Sequence, residues 1–311
     1  MKEGNIVKNS KIYLILIGIM FLWGLNVSAL KVIVGNFPPI TITALRVFTA
    51  GVSVFIILLF LKKIRLPSRK EWKYIIGGSI LNVTGHHLFL GIGLNVTSAV
   101  NGGLILGLGP LLTALMAILF LGKKLTFVRT LGFIFGGIGV SLTVLAGDTS
   151  LSGMSIGDFY VFLAIVSQAI SFIIISKAAK TLDPRLLTGY MLVIGSILLL
   201  LIGLWKEPEG LASLGNASVG MWSIFFASAI FATAVGHMLY NYAIGQTGPA
   251  EASIFLNLNT FLSILFAGIF LGERITSSHM LGLIFIVAGV IFGSGALEEL
   301  MLKNRAKRNA A

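Results

Sequence analysis

Two near copies of one short loop set the architecture of this chain: Leu121-Gly-Lys-Lys-Leu-Thr126 and Leu271-Gly-Glu-Arg-Ile-Thr276, 150 residues apart. An apolar stretch of helix length precedes each copy and another follows it, and five such stretches lie between the copies. Because an odd number of membrane crossings reverses the side of a chain, we predict that the two loops face opposite sides of a membrane. A duplicated unit inserted upside down is typical of alternating-access carriers.

The composition indicates a membrane protein. Of 311 residues, 56% are hydrophobic and 11% are charged, whereas soluble domains carry about 25% charged residues. The absence of cysteine excludes disulfides and thiolate metal sites. The net charge of +12 is not read as a nucleic-acid signal, because the basic residues lie between apolar stretches and report orientation in a bilayer. The first apolar stretch exceeds a signal-peptide core and lacks a cleavage pattern, so we interpret it as a retained span.

Ten stretches have the length of about 20 apolar residues that a helix needs to cross a bilayer. The predicted spans are Ile12–Val34, Pro39–Leu61, Trp72–Leu94, Ser98–Leu121, Phe127–Ala146, Gly157–Ser176, Leu186–Leu204, Val219–Ala243, Ala250–Leu271 and Ser278–Ala296. The predicted fold is therefore an all-α integral membrane protein with ten transmembrane helices as two inverted five-helix repeats.

The basic residues orient these spans. With the N-terminus in the cytoplasm, 19 of the 23 lysines and arginines fall on the cytoplasmic side. Only Lys206 and Arg274 fall outside, and Lys31 and Arg46 fall within spans. This asymmetry follows the positive-inside rule. We predict a multi-pass protein of the plasma membrane with both termini cytoplasmic, the basic tails being residues 1–11 and 297–311.

The internal repeat extends beyond the two loops. Gly85-His86 corresponds to Gly236-His237, Leu131-Gly132 corresponds to Leu281-Gly282, and Pro39 corresponds to Pro184. The unit is five spans used twice, and we predict a first repeat over residues 12–146 and a second over residues 157–296. The Gly132-Phe-Ile-Phe-Gly136 pattern predicts a close helix contact, within the chain or between chains, which leaves monomer and homodimer open.

Several motifs carry a family resemblance over nearly the whole chain. They are Phe21-Leu-Trp-Gly24, Pro39 with Arg46, Thr97-Ser-Ala99, Pro110, Gly248-Pro-Ala250 and the two repeated loops. With these motifs the chain resembles the EamA-type transporters of the drug/metabolite transporter superfamily. The resemblance implies a ten-helix carrier that exports amino acids, related metabolites or toxic compounds. One departure is Gly109, where the resemblance implies a polar or acidic residue before the span 4 proline, which argues against acid-based coupling at that position.

The predicted substrate path follows polar or irregular positions inside the spans. Pro110 follows a glycine-rich stretch and is expected to bend span 4 and free backbone carbonyls, with packing alone as the alternative. The corresponding stretch of span 9 supplies Asn257 and Asn259. Further candidates, each of which has interhelical hydrogen bonding as its alternative role, are Trp23, Asn26, Asn101, Gln168, Tyr240 and Asn241.

Ionisable residues within spans are costly and usually face the bundle interior. His86, His87 and His237 are candidates for substrate binding or proton relay, or else neutral imidazoles that bond a neighbouring helix. A zinc site is not expected, because no cysteine or carboxylate pair accompanies them.

Three charged residues lie near the ends of spans. Arg46 is a candidate for attracting a substrate carboxylate or phosphate, but we expect it to reach toward the outer headgroups, and Lys31 to do the same. Glu251 opens span 9, where it suits the helix dipole or takes part in coupling.

The predicted function is export of a small metabolite by alternating access, without a cofactor, in contact with the bilayer and no nucleic acid. The coupling ion, H⁺ or Na⁺, is left open. One alternative is an organic-phosphate or nucleotide-sugar exchanger of the same superfamily, which needs basic side chains in its cavity. A membrane-embedded enzyme would need clustered catalytic or metal-ligating residues, which the spans lack, and a sensor or scaffold would need large solvent domains.

Overall fold

The computed structural model describes residues 2–122, 126–145 and 155–293. Several sequence predictions therefore lie partly or wholly outside the described residues: Lys123–Leu125 of the first repeated loop, Ala146 of the fifth span, residues 294–296 of the tenth span, Met1 of the N-terminal tail, and the whole C-terminal tail over residues 297–311.

Ten long helices make up nearly all of the described residues. Their bounds are α1 Lys2–Asn36, α2 Pro39–Phe60, α3 Trp72–Val96, α4 Ala99–Leu121, α5 Phe127–Leu145, α6 Ile156–Ala178, α7 Pro184–Lys206, α8 Val219–Thr247, α9 Pro249–Leu271 and α10 Ser277–Gly293. A 3₁₀ turn, Ala212–Asn216, precedes α8. Eight helices are long and apolar enough to cross a membrane, and the shorter apolar segments Thr130–Gly139 and Ser277–Phe292 lie in α5 and α10. The ten-helix prediction is confirmed.

Local sequence explains where these helices begin and end. Pro39, Pro184 and Pro249 occupy first helical positions, where a missing N–H leaves no bond unmade. Gly122 and Gly272 end α4 and α9 with φ of +65°, a left-handed conformation that glycine adopts at low cost. The repeated Leu-Gly pair is thus a helix stop, which explains its presence in both copies.

Helix packing follows a pseudo-twofold relation between the repeats. Helix α2 packs on its counterpart α7, and α5 packs on α10, while α1 packs on α9 as α6 packs on α4. The loop after α9 contacts the start of α4 through Glu273, whereas the first loop follows the end of α4. The two loop copies therefore lie at opposite ends of one helix, and the repeats are inverted.

Glycines bring α5 and α10 into close contact. A Cβ on Gly139 would lie 2.8 Å from the carbonyl oxygen of Gly282, and a Cβ on Gly289 would lie 2.6 Å from the backbone nitrogen of Gly136. The small-residue pattern of span 5 therefore serves a contact within the chain, which is the first of its two predicted uses.

Four helices are irregular within their spans, away from the helix ends. Helix α4 breaks at Gly107 and Leu108, just before Pro110, and α9 breaks at Phe255, as expected for these two spans. Helices α3 and α8 contain π-helical turns over Ser79–Gly85 and Ser228–Val235, which the sequence analysis did not anticipate.

Threonine hydroxyls support both π-helical turns. Thr84 and Thr233 each donate to the carbonyl oxygen five residues earlier, at 3.1 and 3.0 Å. In both helices the irregular turn ends directly before a glycine or histidine of the repeated Gly-His pair, and such turns occur frequently at functional sites.

Apolar side chains are buried in two large clusters, one toward each end of the bundle. Along α1, residues 12–20 belong to the first cluster and residues 27–34 to the second. Along α6, Val161 and Ile165 belong to the second cluster, whereas Phe172 and Ile175 belong to the first. A band of polar side chains separates the two clusters at mid-depth.

Candidate functional site

The polar band contains most of the side chains that the sequence marked as substrate-path candidates. Seven of the candidates line a small cavity of about 50 Å³ between the two repeats. The polar and aromatic lining residues are Trp23, Asn26, His86, His87, Gln168, His237 and Asn259. The remainder of the wall is apolar and includes Leu90, Leu106 and Leu256.

His86 is fixed by α6. Its Nδ1 lies 3.1 Å from the carbonyl oxygen of Ala164, and its Nε2 lies 3.2 Å from Nε2 of Gln168. Because a carbonyl oxygen only accepts, Nδ1 carries the proton and Nε2 accepts from the Gln168 amide. His86 is therefore a neutral imidazole bonded to a neighbouring helix, and it presents its edge to the cavity.

Arg46 lies directly behind the cavity wall and is 1% exposed. Its Nη1 donates to Thr233 Oγ1 and lies 3.5 Å from Ser228 Oγ, and its Nη2 lies 3.4 Å from Nδ1 of His87. The expectation that Arg46 reaches the outer headgroups is wrong. The residue lies on the face of α2 that packs against α3 and the π-helical turn of α8, so the side chain points into the bundle.

The charge of Arg46 has no carboxylate partner among the residues that the structure describes. Its polar contacts are two hydroxyls and an imidazole, and its Nε has no hydrogen-bond partner in that part of the chain. A buried cation is usually paired, because burial of an isolated charge is costly. Arg46 thus places an uncompensated positive charge next to the cavity.

Three imidazole rings pack edge to face along the same wall. The ring centroids of His86 and His87 are 4.9 Å apart, and those of His87 and His237 are 5.3 Å apart. His87 Nδ1 accepts from Arg46, which puts the proton on Nε2, and this atom has no partner among the described residues. His237 Nδ1 is likewise unpaired there. Two buried ring nitrogens beside the cavity are therefore left without a partner among the described residues.

Trp23 holds the third ring in place. Its indole lies 4.9 Å from the ring of His237, centroid to centroid, and its Nε1 donates to the carbonyl oxygen of Ala232 at 2.8 Å. The indole N–H is thus satisfied by an irregular turn of α8, and the ring face is left to line the cavity.

The site is symmetric in position and asymmetric in chemistry. The histidine of α8 contacts Trp23 of α1, and the repeat-related histidine of α3 contacts Gln168 of α6. Pro39 and Pro184 open the repeat-related helices α2 and α7. At the same spacing in the sequence, Trp23 corresponds to Gln168 and Arg46 corresponds to Met191. Only one repeat therefore contributes the buried cation.

Other predicted path residues lie beside the cavity. Tyr240 is fully buried between Trp23 and Phe172, with ring centroids 4.9 and 5.3 Å away. Asn241 donates to Thr188 Oγ1 at 2.9 Å and ties α8 to α7. Pro110 follows the break of α4, and Asn257 follows the break of α9. The side chain of Asn257 donates to the carbonyl oxygen of Ile254.

Two predicted path residues lie far from the cavity, at opposite ends of the bundle. Asn101 Oδ1 lies 3.1 Å from Nε2 of His279 at the start of α10, and Glu251 accepts a hydrogen bond from Tyr13 of α1. The positions 101 and 251 correspond in the repeat, so their separation is another consequence of the inversion. Each is suited to closing one end of the bundle.

Lys31 reaches the end of α3, and its predicted extension toward the outer headgroups stays a prediction. Its Nζ donates to the carbonyl oxygens of Leu94 and Thr97 at 2.8 and 2.6 Å. Leu94 lies in the last turn of α3, where helical carbonyls lack intrahelical partners, and Thr97 directly follows that helix. Lys31 therefore caps α3 from α1.

Sequence reasoning missed three residues of these arrangements: Ser228, Thr233 and His279. Thr233 precedes His237 by four residues and so shares its helix face, which is a usable signal. No comparable signal marked Ser228 or His279. In residues 2–122, 126–145 and 155–293, no group of three or more His, Cys, Asp or Glu side chains is arranged so that it could hold a metal ion.

Comparison with known proteins places this geometry in a family. The sequence profile of the EamA-like transporter family matches the chain twice, over residues 10–145 and 155–294. The uncharacterized transporter YyaM of Bacillus subtilis (strain 168) is 30% identical over 299 residues, which cover 94% of this chain and 96% of that protein. A WAT1-related chloroplastic protein of Arabidopsis thaliana is 26% identical, covering 86% and 66% respectively. A solved crystal structure has the same fold, with a TM-score of 0.68, 17% identity, and coverage of 94% and 99%.

Proposed function

Because this chain belongs to the EamA-like transporter family, we propose that it exports a small metabolite with an anionic group across the plasma membrane by alternating access. The substrate is an amino acid or a related carboxylate. The transported anion binds in the mid-depth cavity, between the two inverted repeats.

One observation carries the choice of an anion: Arg46 is buried without a carboxylate partner among the described residues. In a low-dielectric interior such a charge acts over a longer range than in water. A substrate carboxylate next to His87 supplies the missing negative charge, and the unpaired Nε2 of His87 donates to it. The substrate is then the counter-ion that the protein lacks.

The contacts at the two ends of the bundle support alternating access. At one end Thr97 donates to Asp158, and at the other Tyr13 donates to Glu251. Each bond joins a helix of one repeat to a helix or loop of the other, and the cavity between them is small. Rocking of the repeats, with one of these contacts broken at a time, opens the cavity to one side at a time.

The proposed direction of transport rests on family resemblance, and the proposed orientation in the plasma membrane rests on the distribution of basic residues. The positive-inside distribution supports cytoplasmic termini, and the resemblance to metabolite exporters supports outward movement. A proton or sodium gradient drives the cycle, and the protein works as a monomer or a homodimer.

An organic-phosphate exchanger is a second candidate, favoured by the same buried guanidinium. A phosphate dianion would need more positive charge than one arginine supplies, and Lys31, the other cation within a span, is engaged with the end of α3. We therefore rank a carboxylate before a phosphate.

Counterflow in proteoliposomes tests the proposal. Amino acids, other carboxylates, organic phosphates, neutral sugars and organic cations are compared, with imposed proton or sodium gradients. We expect uptake of a carboxylate, reduced at least tenfold by Arg46→Met and unaffected by Arg274→Met, whose side chain is exposed. Folded protein that moves none of the panel, or an Arg46→Met variant that carries the anion normally, would contradict the proposal.

A further inference from the structure

A second and larger hollow lies beside the cavity, between α1, α8 and α9. Its volume is about 490 Å³, and its wall is almost wholly apolar. We call it the lateral groove; its lining residues are Leu22, Leu25, Asn26, Ser28, Ala29, Val32, Ile224, Ala227, Ser228, Phe231, Ala232, Phe270 and Leu271.

The lateral groove opens toward the lipid. Phe231 is 57% exposed and Phe270 is 63% exposed, and both lie on helix faces that carry other exposed apolar side chains. Within the span region, the surface around the opening of the groove faces lipid and not water. The natural contents of the groove are hydrocarbon chains.

The few polar side chains of the lateral groove lie on its inner wall, which the groove shares with the cavity. Asn26 lines both spaces. Ser228 lines the lateral groove, donates to Asn26 Oδ1, and lies 3.5 Å from Nη1 of Arg46. Two side chains therefore separate a hydrocarbon-sized space from the buried guanidinium.

A further polar atom in this wall lacks a partner. Ser28 is 4% exposed, and its hydroxyl makes no hydrogen bond with any part of the chain that the structure describes. A hydroxyl left unpaired at membrane depth is costly. It marks a position where a polar group of a ligand is favourable.

We propose that the transported anion is amphipathic and enters from the side. Its apolar tail lies in the lateral groove, and its anionic head passes Ser228 and Asn26 toward Arg46. This inference rests on the proposed function and narrows its substrate class to a carboxylate that carries an aliphatic or aromatic tail. The tail stays in an apolar environment throughout, so only the head group crosses the polar wall.

Blocking the lateral groove tests this inference. Ala227 is exposed and lines the groove, so Ala227→Phe fills it without touching the cavity. Val52→Phe is the matched control, because Val52 is 40% exposed on α2 and is not part of the groove. Both variants and the unmodified protein are assayed by counterflow with a series of N-acyl amino acids whose acyl chain grows from two to ten carbons.

We expect Ala227→Phe to lower transport of the long-chain members at least tenfold and to leave the two-carbon member within twofold. Val52→Phe should leave the whole series unchanged. Comparison of variants at one chain length removes the effect of simple partitioning into the vesicle membrane.

The outcomes separate the two proposals. If no member of the series is carried by the unmodified protein, and no other carboxylate is, the proposed function fails. If short members are carried and Ala227→Phe affects all lengths alike or none, the lateral groove is not a substrate path. Loss of a co-purified phospholipid from Ala227→Phe, detected by native mass spectrometry with long-chain transport intact, would show that the groove holds only membrane lipid and would overturn the inference.

Discussion

The carboxylate of Glu273 caps the helix that begins at Ala99. Its two oxygens accept hydrogen bonds from the backbone N–H groups of Ala99 and Val100, both at 2.8 Å. An acid in this position satisfies two donors that lack intrahelical partners and complements the helix dipole. The second loop copy is thereby tied to one end of α4, while the first copy follows Gly122 at its other end.

Removal of this cap should loosen one end of the bundle. Glu273→Ala leaves the two N–H groups without their acceptor, and loss of a cap costs about 1 kcal/mol. We expect Glu273→Ala to lower the midpoint of thermal unfolding in detergent. Glu273→Gln should lower it less, because its amide oxygen still accepts a hydrogen bond. The exposed Glu209 provides the control, and Glu209→Ala should not change the midpoint. Equal midpoints for Glu273→Ala and the unmodified protein would show that the cap contributes nothing.

The fold was predictable from sequence because its signals are local. Apolar length sets the spans, and Pro39 and Gly122 mark a helix start and a helix stop. The irregular turns of α3 were not predictable, since π-helical turns have no compositional signature as strong as Pro110 gives to α4. They arise from tertiary packing that the sequence does not show.

The Thr233 hydroxyl links the irregular turn of α8 to Arg46. Thr233→Val keeps the shape of the side chain and removes the acceptor for Nη1, leaving a buried charged donor underused at a cost of about 1–3 kcal/mol. We expect weaker binding of the transported anion and a lower unfolding midpoint. Both are measured by thermal unfolding with and without substrate.

Thr130→Val is the matched control for this change. Thr130 is exposed on α5, and its hydroxyl donates to the backbone carbonyl of Thr126. The assigned role of Thr233 is wrong if both valine variants give the same midpoint and the same substrate-induced shift.

Gly236 makes room for the indole of Trp23. A Cβ at this position would lie 2.5 Å from Trp23 Nε1, so Gly236→Ala must displace the ring from the Ala232 carbonyl. We expect reduced transport and a shift in the emission of Trp23, recorded in a protein whose other three tryptophans are replaced by phenylalanine.

Gly137 supplies the comparison for Gly236. A Cβ on Gly137 meets nothing within 4 Å, and alanine is favoured over glycine in helices by up to about 1 kcal/mol. Gly137→Ala should therefore be neutral or stabilising. Unchanged Trp23 emission in Gly236→Ala would refute the close packing described for the site.

A clasp between Glu71 and Arg65 should make stability depend on pH in the acid range. Two hydrogen bonds from the Arg65 guanidinium, at 2.7 and 2.8 Å, lower the pKa of Glu71 from 4.5 to about 2. A depressed pKa means that the folded state favours the ionised form. The stabilisation is therefore complete above about pH 4.5 and is lost as the pH falls toward 2.

Unfolding midpoints measured across this pH range check the clasp. Glu71→Gln should lower the midpoint at pH 7 and flatten its decline below pH 4.5, whereas Glu209→Gln should do neither. A Glu71→Gln protein that keeps the full acid dependence would show that other groups cause it.

The sequence predicted which residues line the cavity better than it predicted how their side chains are arranged. Histidines at repeat-related positions within spans mark the cavity correctly, because such residues face the interior of a bundle. The direction of Arg46 was mispredicted, since its position one and a half turns into α2 suits either the headgroups or the core. The choice depends on the hydroxyls of Ser228 and Thr233, which come from the other repeat.

Side-specific labelling of repeat-equivalent loop positions tests the central claim most directly. The chain has no cysteine, so Thr126→Cys and Thr276→Cys each introduce a single thiol at matched positions of the two loop copies. A membrane-impermeant maleimide is applied to intact cells and to permeabilised cells. We predict that position 276 reacts in intact cells, and that position 126 reacts only after permeabilisation. Reaction of both positions in intact cells, or protection of both until permeabilisation, would contradict the inverted architecture and the transport mechanism built on it.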